Sequence, residues 1–238
     1  MIEILNGTKT PLYDIGLNAG YCWHSPVDNA EKNIKRAKSC ILSGHGRVME
    51  YPDVTIVIKG YSARCIRELY THVIGTTRLQ ASTRYVDCNK FEFYTPPTLT
   101  GEEGVDENKK KAAEEYARAM ETIRTSYKTL LECGISKEDA ANLLPLGMHT
   151  EVVLKINVRA LEHFMNMRLC TRAYKEIRAL AKEIKETLAN YSDEWKWIAD
   201  TLFVPNCEKY GYCTEEHCCG RRPKKETFFL DFVSSKQG

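Results

Sequence analysis

The sequence predicts an α+β fold: a mixed sheet core with several long helices, in a single domain. Three observations lead there. Two runs rich in β-branched residues, VTIVIKG (54–60) and TEVVLKIN (150–157), read as strands. Long segments with apolar residues at helical spacing surround them. No linker-like stretch interrupts the 238 residues, a length that supports one sizeable core.

The elements follow in order. VDNAEKNIKRAKSCILS (27–43) has helical spacing, with Asp28 placed to cap its start. SGHGRVMEY is a glycine-flanked loop, and strand 54–60 follows it. SARCIRELYTHVIG (62–75) reads as a helix stopping at Gly75. GTTRLQASTRY (75–85) is dense in side-chain donors and offers little to a core. TRYVDCNKFEFYTPP (83–97) alternates and then meets a proline pair, as a strand or extended arm does. Residues 100–134 form a long helix with an acidic start and Gly134 at its end. SKEDAANLLP opens with Ser136 three residues before Asp139, a capping pattern, and ends before Pro145. After strand 150–157, the segments NVRALEHFMNMRLC, TRAYKEIRALAKEIKETLANY and SDEWKWIADTLF read as three helices. A cysteine-rich tail occupies 205–238.

Apolar residues make up 43% and charged residues 28% of the chain, and the net charge is +2. That balance is too mild for a nucleic-acid polymer, which calls for a concentrated basic face. It suits a small anionic ligand. No basic segment followed by an apolar run opens the chain, and no run is long enough to span a membrane. The expectation is a cytoplasmic protein with most of its ten cysteines reduced. Glycine-rich phosphate loops, H-E-x-x-H and G-x-S-x-G are all absent, so side chains must hold any bound nucleotide.

Three constellations carry chemistry. In the first, Ser82, Thr83 and Arg84 combine hydroxyls with an arginine fork, which suits a phosphate or a pyrimidine carbonyl; a solvated polar loop has the same composition. The second is the helix after Asn157. At about 100° per residue, Val158, Leu161, Phe164, Met165 and Leu169 share one apolar arc, and Arg168 and Asn157 fall inside it. An arginine there is costly unless an anion or a carboxylate meets it. Arg159 and His163 lie together on another face. A helix touching ligands on two sides fits this pattern, as does an internal Arg–Glu pair with a surface Arg and His. The third is Cys207, Cys213, Cys218 and Cys219 with His217, spaced more loosely than zinc ligands favour, so no metal is expected.

Taken together, SGHGRVMEY, RELYTHVIGTTRLQASTRYV and NVRALEHFMNMRLCTRAYKEIRALA resemble the flavin-dependent thymidylate synthases over residues 40–185. The resemblance implies a homotetramer with active sites between subunits. It implies FAD as cofactor, NADPH as reductant, methylenetetrahydrofolate as carbon donor and dUMP as the substrate converted to dTMP. It places the activating serine on Ser82, and dUMP contacts on Glu68, Gln80, Ser82, Thr83, Arg84 and Arg168. Arg168 also matches the arginine that stabilises the ionised uracil ring. His45, Arg47, Glu50, His72, Arg78, Gln80, Asn157, Arg159 and His163 match FAD contacts.

The chain also departs from the family pattern. The family's Arg-His-Arg triplet reads Thr71-His72-Val73, with Arg78 as a nearby replacement charge. Ala141 stands at a usual dUMP-binding arginine, and Glu68 at a usual glutamine. Two other readings stay open: a flavoenzyme of the same fold that alkylates another pyrimidine nucleotide, and a cysteine-tail metal or interaction module.

Overall fold

A computed structural model of the protein describes residues 1–100 and 106–234, with side chains to residue 230. Its four strands are β1 (Ile2–Gly7), β2 (Asp53–Ser62), β3 (Thr76–Gln80) and β4 (His149–Asn157), in an antiparallel sheet of order β1-β2-β4-β3. The helices before β4 are α1 (Pro11–Cys22), α2 (Ala30–Leu42), α3 (Ala63–Leu69), α4 (Pro97–Thr100), α5 (Glu107–Glu132) and α6 (Lys137–Ala140). After it come α7 (Val158–Arg168), α8 (Lys175–Ala189), α9 (Asp193–Leu202), α10 (Asn206–Tyr210) and α11 (Lys225–Ser234). Helices and a sheet in one domain are observed as expected from the sequence, but the sheet is antiparallel where a mixed one was expected.

Two compact units are built from these elements. The first comprises Met1 and residues 57–71 and 78–153; the second comprises 2–56, 72–77 and 154–238. The chain changes unit within β2, β3 and β4, and also in the turn between Thr71 and His72.

In the first unit, α5 carries the core. It presents Met120 and Tyr127, both buried, to Phe91, Cys88, Ala140 and Met148. The second unit is layered helix on helix. Leu12 and Ile15 of α1, Ala37 and Ile41 of α2, and Leu180, Ile184, Trp195 and Ile198 of α8 and α9 are all buried. Trp195 also satisfies its ring N–H, donating to the Thr8 carbonyl at 2.8 Å.

β4 shows the period of two that its sequence promised: Thr150, Val152, Leu154 and Ile156 are buried and alternate with more exposed residues. β2 buries Val57 as well as Val54, Ile56 and Ile58, so apolar residues fill both of its faces.

Four local expectations are corrected. Asn29 caps α2, accepting from the Lys32 N–H at 2.9 Å, whereas Asp28 was expected there. The helix predicted to run to Gly75 stops at Leu69; Thr71 then donates its N–H (3.2 Å) and hydroxyl (2.8 Å) to the Glu68 carbonyl in a turn. The arm at 83–97 forms no strand: Phe93 makes one isolated bridge to Met148. The strand lies earlier, at Thr76–Gln80, inside the polar stretch. The long helix starts after Asp106, whose carboxylate accepts from the Lys109 N–H at 2.8 Å. The helix expected over 101–105 lies outside the described residues.

Candidate functional site

The sequence-predicted site residues divide between the two units. His45, Arg47, Glu50, His72, Asn157, Arg159, His163 and Arg168 lie in the second unit, and Glu68, Arg78, Gln80, Ser82, Thr83 and Arg84 in the first.

In the second unit, α7 organises the set. The arc read from the sequence is correct, since Val158, Leu161, Phe164, Met165 and Leu169 are all buried. Asn157 does not belong to the helix face. It is the N-cap, and its side-chain oxygen accepts from the Ala160 N–H at 2.9 Å, which explains a polar residue at that position. Gly75 makes this fit possible, because a Cβ there would stand 2.7 Å from the Asn157 amide nitrogen.

Arg168 ends the helix, half-buried, and its Nε donates to His72 Nε2 at 3.0 Å. An arginine can only donate, so His72 Nε2 is the acceptor of this bond. The His72 ring sits 5.5 Å from the His163 ring and edge-on to Phe164 at 5.1 Å. On the exposed face, Arg159 forms an ion pair with Glu50, the last residue of the one-turn 3-10 helix Gly46–Glu50. Gly46 is close beneath it: a Cβ there would meet Arg159 Nε at 3.2 Å. His45 and Arg47 are exposed on the same loop.

A cavity of about 820 Å³ opens beside this loop, lined by Gly44, Gly46, Arg159 and His163 together with residues from α9 onward. Its donors and its volume fit a bound dinucleotide, which needs cations near phosphates and room for two ring systems.

In the first unit, the polar stretch becomes β3 and then a tight turn. Gln80 Nε2 donates to Thr150 Oγ1 at 3.3 Å. Ser82 turns the chain: its carbonyl accepts from the Tyr85 and Val86 N–H groups at 3.1 and 3.0 Å. Arg84 Nε reaches Glu138 at 3.1 Å, one helical turn before Ala141. Arg78 is held locally. It donates to the Tyr70 carbonyl at 2.9 Å and lies 4.6 Å over the Tyr70 ring, whose hydroxyl pKa is raised by burial. Glu68 occupies the last turn of α3.

A second cavity of about 620 Å³ opens beside Thr83, lined by Val86, Phe91, Met148 and His149 among others. His149 Nδ1 is buried without a hydrogen-bond partner and stands 3.6 Å from Glu92.

Sequence reasoning missed several cavity residues. Asn206, Lys209, Tyr210 and Arg222 line the larger cavity, and His149 the smaller. No periodicity marks the tail residues, because short loops and the five-residue α10 carry them.

The fold is one already seen in a solved structure. A UMP/dUMP methylase from Streptomyces cacaoi bound with 5-Br dUMP matches it at a TM-score of 0.70 and 19% identity, over 86% of this chain and 96% of that one. The sequence narrows the class. The family model described as "Thymidylate synthase complementing protein" matches residues 3–191. The flavin-dependent thymidylate synthase of Pyrococcus abyssi is 34% identical over 222 residues, covering 90% of this chain and 89% of that one. The one from Geobacter sulfurreducens is 30% identical over 241 residues, covering 97% and 98%. The chain belongs to the flavin-dependent thymidylate synthase family.

Proposed function

We propose that the protein converts dUMP to dTMP, joining the methylene carbon of methylenetetrahydrofolate to C5 of the pyrimidine. FAD, reduced by NADPH, supplies the hydride chemistry when bound. The observation that carries this reading is Arg168, a half-buried arginine at the end of α7 whose Nε is fixed by a histidine acceptor. C5 is nucleophilic enough to attack the methylene carbon when the uracil ring is ionised and carries negative charge. A pre-oriented guanidinium stabilises that charge without reorganising.

The other residues bind and orient. Ser82, Thr83, Arg84 and Gln80 grip the nucleotide, with Glu68 behind them. His45, Arg47, Glu50, His72, Asn157, Arg159 and His163 hold the flavin. In this reading Arg78, oriented by the Tyr70 carbonyl and ring, keeps its charge and joins the flavin contacts.

We further propose a cytoplasmic homotetramer whose active sites join the Ser82 turn of one subunit to α7 of another. Ile74 is 88% exposed, Leu79 72% and Tyr85 75%, large apolar surfaces of the kind that interfaces cover.

The test is an absorbance spectrum of the purified protein, followed by NADPH oxidation with and without dUMP. Flavin bands and dUMP-dependent oxidation are expected. A protein that stays colourless after incubation with FAD contradicts the reading.

A second reading, methylation of another pyrimidine nucleotide, is favoured by Ala141 and by Thr71 and Val73 in place of the family's arginines. The structural neighbour is itself described as acting on UMP as well as dUMP. Product analysis with UMP and dUMP in parallel separates the two.

A further inference from the structure

The matched family region ends at residue 191, yet much of the larger cavity is built from residues beyond it. Asn206, Lys209, Tyr210 and Arg222 form a wall alongside Arg159 and His163. These tail residues are held in place. Asn166, buried on α7, donates to the Leu202 and Val204 carbonyls at 3.0 and 2.7 Å, fixing the start of the tail. Lys209 is tied to Glu162 of α7 at 2.7 Å. The Cys213 N–H donates to the Pro223 carbonyl at 2.7 Å, and the Cys218 thiol to the Arg222 carbonyl at 3.2 Å, so the backbone around Arg222 is fixed from both sides. Tyr210 stacks on Tyr212, with ring centroids 6.1 Å apart and a 29° interplanar angle.

The charges around the cavity are unequal in availability. Glu50 neutralises Arg159, and Glu162 neutralises Lys209. Among the described residues, the Arg222 guanidinium has no ion pair and no hydrogen-bond acceptor, although it lines the cavity. The cavity lining thus holds a cation fork, a tyrosine ring and the Asn206 amide, the chemistry that recognises a phosphate joined to an aromatic base.

We infer that the C-terminal tail supplies Arg222 and Tyr210 to the cofactor cavity, where they bind the adenosine diphosphate end of FAD. This rests on the reading of the protein as a flavoenzyme. Arg222 grips the pyrophosphate and Tyr210 supports the adenine.

The experiment measures FAD and FMN affinity of the full-length protein by equilibrium ultrafiltration. It compares the unaltered protein with Arg222→Ala, Tyr210→Ala, Tyr210→Phe and Lys225→Ala. Arg222→Ala and Tyr210→Ala each weaken FAD binding about tenfold and leave FMN, which lacks the adenylate, within about twofold. Tyr210→Phe retains the ring and binds FAD normally. Lys225→Ala, an exposed tail cation outside the cavity, has no effect. FAD affinity unchanged in both Arg222→Ala and Tyr210→Ala overturns the inference and leaves the flavoenzyme reading standing. Equal losses for FAD and FMN overturn the assignment to the adenylate end. An unaltered protein that binds neither flavin removes the flavoenzyme reading itself, and this inference with it.

Discussion

Arg168 Nε donates to His72 Nε2 across 3.0 Å, joining the last turn of α7 to the segment that follows α3. The bond makes a chemical demand on both partners. His72 must present a lone pair, and Arg168 gives up the rotational freedom that an exposed arginine keeps. In the proposed reaction Arg168→Ala lowers kcat by about 100-fold or more, the range for losing one pre-oriented donor. The fold survives, because the buried face of α7 rests on Val158, Leu161, Phe164 and Met165. His72→Gln keeps an acceptor and retains more activity than His72→Leu. Steady-state kinetics with circular dichroism melts on the three variants check this ordering; equal losses in both His72 variants would show that the acceptor is not what matters.

Arg84 and Glu138 make a different kind of pair. Both are exposed, at 60% and 62% of their side-chain surface, so their 3.1 Å contact adds between 0 and about 1 kcal/mol of stability. Glu138→Ala therefore leaves the unfolding free energy within about 1 kcal/mol of the original. Arg84→Ala raises the KM for dUMP about tenfold or more, with a smaller change in kcat, as expected for a group that binds phosphate throughout the reaction. Urea unfolding and dUMP titrations test the two halves separately.

Two glycines make opposite demands on the fold. A Cβ on Gly16 of α1 would stand 1.8 Å from the Asn33 carbonyl oxygen of α2, a backbone atom that cannot rotate away. Arg36 locks the same contact by donating to the Gly16 carbonyl at 2.9 Å and to Asn33 Oδ1 at 2.7 Å. Gly16→Ala forces the helices apart and costs about 2–4 kcal/mol. Gly134 has open space around it but a φ of +82°, so Gly134→Ala costs only the left-handed backbone penalty, about 1 kcal/mol. Thermal melts of the two variants should differ clearly in this order.

Cys219 is the thiol set up to react. A hydrogen bond from Thr171, the Arg221 backbone N–H and the Arg221 charge together lower its pKa, and it is exposed. Burial raises the pKa of Cys40 and Cys88 instead. A lowered pKa means that the thiolate, the nucleophilic form, is populated at lower pH. Iodoacetamide should therefore modify Cys219 ahead of Cys40 and Cys88, and its pH–rate profile should lie below that of an ordinary cysteine. Thr171→Val should move that profile upward. Peptide mass spectrometry over a pH series provides the measurement.

Much of this was legible in the sequence where a periodic pattern met a buried face. β4, α7, α8 and α9 lie within a few residues of their predicted spans, and Arg168 stood out because it broke an apolar arc. β3 was not legible. Thr76–Gln80 lacks apolar alternation, and its strand form comes from its place at the end of the sheet beside β4. The end of α3 was missed because Tyr-Thr-His-Val carries no breaker; the Thr71 hydroxyl, bonded to the Glu68 carbonyl, competes with the helix there. The tail wall was invisible for a third reason. Arg222 and Tyr210 line the same cavity as Arg159 but lie far from it in the chain, and no local pattern encodes that.

The most direct test of the central claim is product analysis by mass spectrometry. The FAD-loaded protein is incubated with dUMP, methylenetetrahydrofolate and NADPH. The account predicts dTMP, formed in proportion to the NADPH consumed and lost when Arg168 is replaced by alanine. Binding of FAD with no dTMP produced, or dTMP production that survives Arg168→Ala, would contradict it.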